Sequence, residues 1–193
     1  VEAALLRSAV DLLEAEGPDA LTVRRIAAAA GVSPTGVYNH FDGKNGIVDA
    51  IFRRGFATLT DAMAVLAETH DPAEALLQGG RLYRALALEH PTTYSVMFLK
   101  SVPGFEPSDE SHLAAIRSFD GLVACVTRGL DSGVLRPGDP VEIATQWWSG
   151  MHGAVALELA GIGFVEDRDR LYEQLLATML RGLLAGTDEP ATD

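Results

Sequence analysis

Residues Leu21 to Lys44 read LTVRRIAAAAGVSPTGVYNHFDGK. Val23, Ile26, Ala27 and Ala30 recur at helical spacing, and Thr22 stands where a helix N-cap belongs. Gly31 supplies a left-handed position that ends this first short helix. Val32 fills the turn, and Ser33-Pro34 restarts a helix with a hydroxyl cap followed by proline at the first helical position. The pattern predicts a second helix over Pro34 to Phe41 that buries Val37 and Phe41 at i and i+4. Thr35, Gly36, Tyr38, Asn39 and His40 then project outward.

Those outward residues suit a DNA groove. The major groove admits one helix, and an asparagine such as Asn39 can take an adenine edge in a bidentate pair. Gly36 permits close approach to base edges, while Tyr38 and His40 are donors for phosphate oxygens. Lys44 falls in the first turn of the next helix, where a cation opposes the helix dipole, so a phosphate explains it better than local stability. Spacing alone also fits any small helical protein with a glycine turn between two helices.

The stretch resembles the N-terminal domain of the TetR family of bacterial transcriptional repressors. That motif runs T-x-R-x-I-A-x-x-A-G-V-S, then L/V-Y-x-H-F, then x-x-K. Thr22, Arg24, Ile26, Ala27, Ala30, Gly31, Val32, Ser33, Val37, Tyr38, His40, Phe41 and Lys44 stand where it asks. The basic residues that the family places ahead of its first helix have no counterpart in a chain that opens at Val1. The resemblance implies a homodimer that places the 34–40 helices in successive major grooves of a palindromic operator. Base contacts are assigned to Thr35, Gly36 and Asn39 and phosphate contacts to Thr22, Tyr38, His40 and Lys44, with Arg24 and Ser33 completing the DNA-facing set.

Composition bounds the rest. The 193 residues are 48% hydrophobic and 22% charged, enough for one small and one larger domain with a sizeable core. No run approaches the roughly 20 apolar residues of a membrane span, and no basic-then-apolar signal segment opens the chain. A cytoplasmic location with no membrane partner is therefore expected. The one cysteine, Cys125, sits beside Val123 and Val126 on a predicted helix; a small buried hydrophobe competes there with a reactive thiol. The net charge of −12 argues at first against nucleic acid, but its distribution matters more. From Thr22 to Arg54 five basic residues face two acidic ones, a local +3, whereas residues 55–193 carry nine basic and twenty acidic. A DNA-facing tip on an acidic body is implied, with marked salt dependence.

The pattern predicts an all-α fold: a three-helix DNA-binding domain with the helix-turn-helix, residues 1–46, then a helical ligand-binding and dimerisation domain, residues 47–186. Residues 187–193, TDEPATD, are expected to be a disordered tail. A first helix spans Glu2 to Glu16 with Leu5, Ala9, Leu12 and Leu13 inward, and a long helix runs from about Lys44 to Thr69, burying Ile47, Ile51, Phe56, Leu59, Met63 and Leu66. Asp71-Pro72-Ala73-Glu74 and Asp139-Pro140-Val141-Glu142 repeat one helix-start signal. Gly79-Gly80 marks a bend, residues 101–108 a flexible connection before a helix from Asp109 to Leu130, and two helices over 140–160 and 167–185 close the fold. The last is apolar almost all round (Leu171, Leu175, Leu176, Met179, Leu180, Leu183, Leu184), so it needs a cover on more than one side. With Gly150, Ala154 and Ala156 on its neighbour, these two helices are expected to form a four-helix dimer interface, an internal core helix being the alternative.

The body resembles the WHG-type C-terminal domain of some TetR-family regulators over His90 to Phe98 and Trp148 to Gly153. Trp148 and His152 share a helix face and, with Met63, Tyr83, Tyr94, Met97, Phe98, Phe119 and Met151, make the set expected to hold a small molecule; plain core packing fits the same spacing. His152 serves equally as a core histidine bonded to a carbonyl. No catalytic residue, metal ligand or cofactor is expected. The five histidines contain no i,i+3 or i,i+4 pair, no phosphate loop, nucleophile elbow or dinucleotide glycine set appears, and Glu158 reads as a lone carboxylate. A ligand-released repressor is the expectation; an activator, or a ligand-binding helical dimer without sequence-specific DNA binding, are the alternatives.

Overall fold

In the computed structural model the described residues, 1–186, form ten α-helices joined by short connections. They are α1 (Glu2–Glu16), α2 (Val23–Ala29), α3 (Pro34–His40), α4 (Gly43–Ala62), α5 (Val65–Glu68), α6 (Pro72–Glu89), α7 (Pro91–Phe98), α8 (Asp109–Asp131), α9 (Pro140–Leu159) and α10 (Arg168–Leu183). A single 3-10 turn, Pro18–Ala20, follows α1, and the only β pairing among the described residues is an isolated bridge between Leu135 and Leu184. The tail expected at 187–193 lies outside the described residues. The chain divides into two compact units: residues 1–59 with 89–117, and residues 60–88 with 118 onward.

The first unit has a continuous apolar core. Leu5, Ala9 and Leu13 of α1 gather with Ile26 and Ala27 of α2, Val37 of α3, and Ile47, Val48, Ile51, Phe52 and Phe56 of α4. Each leucine, isoleucine, valine or phenylalanine of this set withdrawn from water contributes roughly 1.5–3 kcal/mol before the entropy of ordering is counted. Gly55 lets α7 approach α4: a Cβ there would collide with the Met97 side chain and come within 2.9 Å of Thr93 Cγ2. Rings continue the packing, with Phe56 edge-on to Phe98 at 5.2 Å and Phe98 tilted on Tyr94 at 5.0 Å. Residues 101–108 are free of helix yet anchored at both ends. Val102 is buried, and Ser108 donates from its backbone N and its Oγ to the Asp49 carboxylate at 2.8 and 2.9 Å. Arg53 Nη1 donates to Glu110 Oε2 at 2.8 Å just beyond.

In the second unit the structure corrects four expectations. The helix expected to run unbroken to Thr69 stops at Ala62, turns through Met63 and Ala64, and resumes as α5. Backbone bonds from Ala64 to Asp61 and from Leu66 to Met63 tighten the chain to three-residue spacing there, and the Arg128 guanidinium takes the carbonyls of Leu66, Ala67 and Thr69. Helix-forming residues throughout Met63–Ala67 hide this break from a periodicity reading. Second, α6 runs unbroken through Gly79-Gly80. These glycines admit neighbours rather than a bend: a Cβ at Gly79 would lie 2.7 Å from Leu66 Cδ2, and one at Gly80 2.7 Å from Leu176 Cδ2. Third, Gly150 faces the interior of its own chain, because the Met179 side chain occupies the space of its Cβ. Fourth, Glu158 is not alone. Arg84 donates to it in a fork, Nε to Oε2 and Nη2 to Oε1, both at 2.7 Å, and also reaches Asp169 Oδ1 at 2.8 Å.

Asp139 caps α9 as the start signal requires, its Oδ1 accepting from the backbone N of Val141 and Glu142 at 2.9 Å. Cys125 is buried, with Sγ 3.8 Å from the Pro72 carbonyl oxygen, and burial pushes its thiol pKa up. That leaves it the small-hydrophobe role. Trp147 is the core tryptophan of α9, whereas Trp148 is only half-buried.

Candidate functional site

Two hydroxyl caps build the helix-turn-helix. Thr22 Oγ1 accepts from Arg25 N at 3.3 Å and Ser33 Oγ from Gly36 N at 3.2 Å, so each short helix begins where its cap sits. Gly31 turns the chain at φ +68°. Val37 and Phe41 point into the core, but Phe41 has already left the helix in an extended conformation, so α3 ends at His40. Gly43 at φ +65° then starts α4, and the Tyr38 ring lies close enough that a Cβ on Gly43 would stand 3.4 Å from its Cε1.

Thr35, Tyr38, Asn39 and His40 are all exposed, Tyr38 to 62%, and Gly36 lies among them. The turn also leaves Thr22, Arg24 and Ser33 exposed, and Lys44 is half-buried in the first turn of α4. Arg25 differs from Arg24: its guanidinium is paired with Glu16 of α1, which lowers the positive charge that this side presents. Spacing does not indicate that pair, because the partners lie nine residues apart across the 3-10 turn.

The residues expected around a small molecule divide between the units. Tyr94, Met97 and Phe98 belong to the first, packed on Gly55 and Phe56 as described. In the second, Tyr83, Phe119, Trp148 and His152 come together. Tyr83 Oη lies 3.0 Å from His152 Nδ1, the Trp148 ring 5.3 Å from that of His152, and Phe119 edge-on to Trp148 at 6.1 Å. Burial lowers the His152 pKa, so its imidazole is neutral near pH 7. Met151 and Met63 lie against α6, their sulfurs 3.2 Å and 3.7 Å from where Cβ atoms of Gly80 and Gly79 would be. Sequence reasoning misses the Arg84 cluster; its signal is a basic residue on the inward side of α6, which periodicity alone does not pair with Glu158.

The profile of the bacterial regulatory proteins of the tetR family matches residues 5–51, and that of the tetracyclin repressor-like C-terminal domain matches residues 76–179, more than half of the chain. The chain belongs to the TetR family. This TetR-family protein is a DNA-binding transcriptional regulator, and the second match takes in both segments on which the C-terminal resemblance rested. An uncharacterised HTH-type transcriptional regulator of Mycobacterium tuberculosis is 26% identical over 97% of this chain and 84% of its own. The class A tetracycline repressor of transposon 1721 from Escherichia coli is 38% identical over 66 residues, 34% of this chain and 26% of its own. A protein of unknown function from Rhodococcus sp. RHA1 superposes with a TM-score of 0.84 at 28% identity, covering 95% of both chains. The TetR family transcriptional regulator PfmR from Thermus thermophilus shares the fold, with a TM-score of 0.74 at 23% identity over 92% of this chain and 97% of its own. Among the described residues of this TetR-family regulator no group of His, Cys, Asp and Glu is placed to hold a metal, and no helix is long and apolar enough to cross a membrane.

Proposed function

We propose that this regulator is a homodimeric repressor that holds a palindromic operator and is released by a small apolar or aromatic molecule. The carrying observation is the outward face of α3, where Thr35, Asn39 and His40 stand exposed with the half-buried Gly36 among them, on a helix whose other side is locked into the core by Val37. Residues 1–46 serve as the DNA-binding domain and 47–186 as the ligand-binding and dimerisation domain. Thr35, Gly36 and Asn39 read bases; Thr22, Arg24, Ser33, Tyr38, His40 and Lys44 hold the backbone.

The dimer contact we assign to α9 and α10. Leu171, Leu175, Thr178 and Gly182 follow one another at 4-3-4 spacing on a stripe of α10 about a third of a turn round from its buried Tyr172, Leu176, Leu180 and Leu183. Ser149, Gly153 and Ala156 of α9, with Ala160 at its C-cap, repeat that spacing with small side chains that let another helix approach. Neither Gly153 nor Gly182 has anything within 4 Å of where a Cβ would be. The effector we assign to the Tyr83, Phe119, Trp148 and His152 group, with Met63 and Met151 beside α6. Its rings and neutral imidazole favour an uncharged aromatic or apolar ligand. Such a ligand acts only through unequal affinity for the DNA-competent and DNA-incompetent states; a hundredfold preference amounts to about 2.7 kcal/mol.

Selection of fragments of the source genome on the purified protein at near-physiological salt tests this reading. Recovery of one palindromic site is the expected result; enrichment of nothing above background would leave only the ligand-binding dimer. On that site Asn39→Ala is expected to lose about 1–3 kcal/mol at a single base step and to relax selectivity there. Lys44→Ala should weaken operator and random DNA alike and reduce the salt slope by about two, one for each subunit. Equal losses on operator and random DNA for both variants would reject the division into base and phosphate contacts.

A further inference from the structure

Gly36 lies inside α3, where glycine costs helix stability relative to alanine. Packing within the protein does not require it. A Cβ built there would meet Val32 Cβ at 3.6 Å, Val32 Cγ2 at 3.7 Å and Ser33 Oγ at 3.8 Å, all ordinary van der Waals distances. Gly79, Gly80 and Gly129 differ, since a Cβ at each would come within 2.7 Å of a leucine side chain. Other helical glycines with open space, Gly121, Gly153 and Gly182, lie outside the helix-turn-helix, and two of them are on the assigned dimer seams.

The position at Gly36 therefore has room for a methyl group, walled on one side by the Val32 side chain and partly by the Ser33 hydroxyl. It opens on the same face as Asn39, three residues on, and beside Thr35. Among the base edges of the major groove, the one methyl group is the C5-methyl of thymine. We propose that Gly36 is a specificity-determining residue: its notch receives a thymine methyl against Val32, in a base pair neighbouring the adenine that Asn39 takes. The inference rests on the DNA-reading role of α3 and adds what it reads. Glycine is needed because an alanine methyl would fill the space that the base methyl occupies.

The test starts from the operator recovered by genomic selection, with each thymine replaced in turn by deoxyuridine, which removes the methyl and keeps every hydrogen-bonding edge. One thymine per half-site is expected to be sensitive, with an affinity loss of about fourfold, or about fifteenfold when both half-sites are changed. Gly36→Ala is expected to keep or raise the thermal midpoint, to bind the natural operator at least tenfold more weakly, and to bind the deoxyuridine site more tightly than the thymine site, because removing the base methyl relieves the clash. Indifference of wild type to deoxyuridine at every position would overturn the proposal even if the alanine variant failed to fold. So would an alanine variant that kept the wild-type preference for thymine. Failure to enrich any sequence is a different result, which would remove the DNA reading itself and this inference with it.

Discussion

Leu171→Glu is expected to turn the dimer into a folded monomer and to abolish operator binding at concentrations that saturate the wild type. Leu171 is 46% exposed in the single chain and heads the outward seam of α10, so its substitution removes little from the subunit's own core. A glutamate in the first turn of a helix is also favourable to that helix. In a two-fold contact every substitution counts twice. Each copy loses the burial of a leucine, about 1.5–3 kcal/mol when complete, and must place a carboxylate in an apolar seam. Both subunits already carry a net charge of −12, which adds repulsion. The dimer dissociation constant is expected to rise at least about a hundredfold, about 2.7 kcal/mol. Sedimentation equilibrium reads this directly, and a dimer of unchanged affinity would place the contact elsewhere. Gly153→Leu approaches the same seam from α9 with opposite signs: a more stable monomer, because glycine is a poor helix former, and a weaker dimer.

Arg84→Ala is expected to destabilise the protein by about 3 kcal/mol near neutral pH, lowering the thermal midpoint by about 6–12 °C. Arg84 and Glu158 are each 15% exposed, and the guanidinium also lies 5.3 Å over the Tyr172 ring, whose hydroxyl donates to the Gly80 carbonyl at 2.9 Å. Removing the arginine leaves a carboxylate in a largely dry site without its forked donor. The pH dependence carries the signature. The hydrogen bonds from Arg84 hold the Glu158 carboxyl below its ordinary range, against the opposing effect of burial. A depressed folded-state pKa gives stability that is present above the unfolded value, about 4.3, and lost as pH falls through the folded one. Without Arg84, burial and the Asp169 charge favour the protonated acid and only the Arg168 charge opposes them, so the gap between variant and wild type should begin to narrow as pH falls towards about 4.3 and go on narrowing below it. Urea midpoints at pH 7 and in mild acid measure it; a gap independent of pH would show that Glu158 contributes little.

How much could be read beforehand depended on the range of the interaction. The helix-turn-helix was legible almost to the residue, because each of its devices acts over a few positions: Thr22 capping Arg25 N, Gly31 at positive φ, Ser33 capping Gly36 N. The start of α9 was legible for the same reason, with Asp139 capping residues two and three places on. The break after Ala62 was not, since it depends on Arg128 taking carbonyls about sixty residues away. The ring residues were recognised as a set, but not that Tyr94, Met97 and Phe98 pack in the first unit while Tyr83, Phe119, Trp148 and His152 meet in the second.

The glycines divide along the same line. Gly31 and Gly43 declare themselves by the turns they make, which neighbouring residues imply. Gly79, Gly80 and Gly150 look like bends or contact sites until the packing shows Leu66, Leu176 and Met179 filling the space where a Cβ would be. Gly36 needed both views: a DNA-facing position from its motif, and room for a methyl group beside Val32 from the packing. What the sequence alone determined was the all-helical class, the helix-turn-helix and its exposed polar face, since hydrogen-bond caps and 3.6-residue periodicity are local. Only the tertiary structure decided which side chains meet across the fold, such as Arg84 with Glu158 seventy-four positions away, because those contacts depend on how whole helices dock.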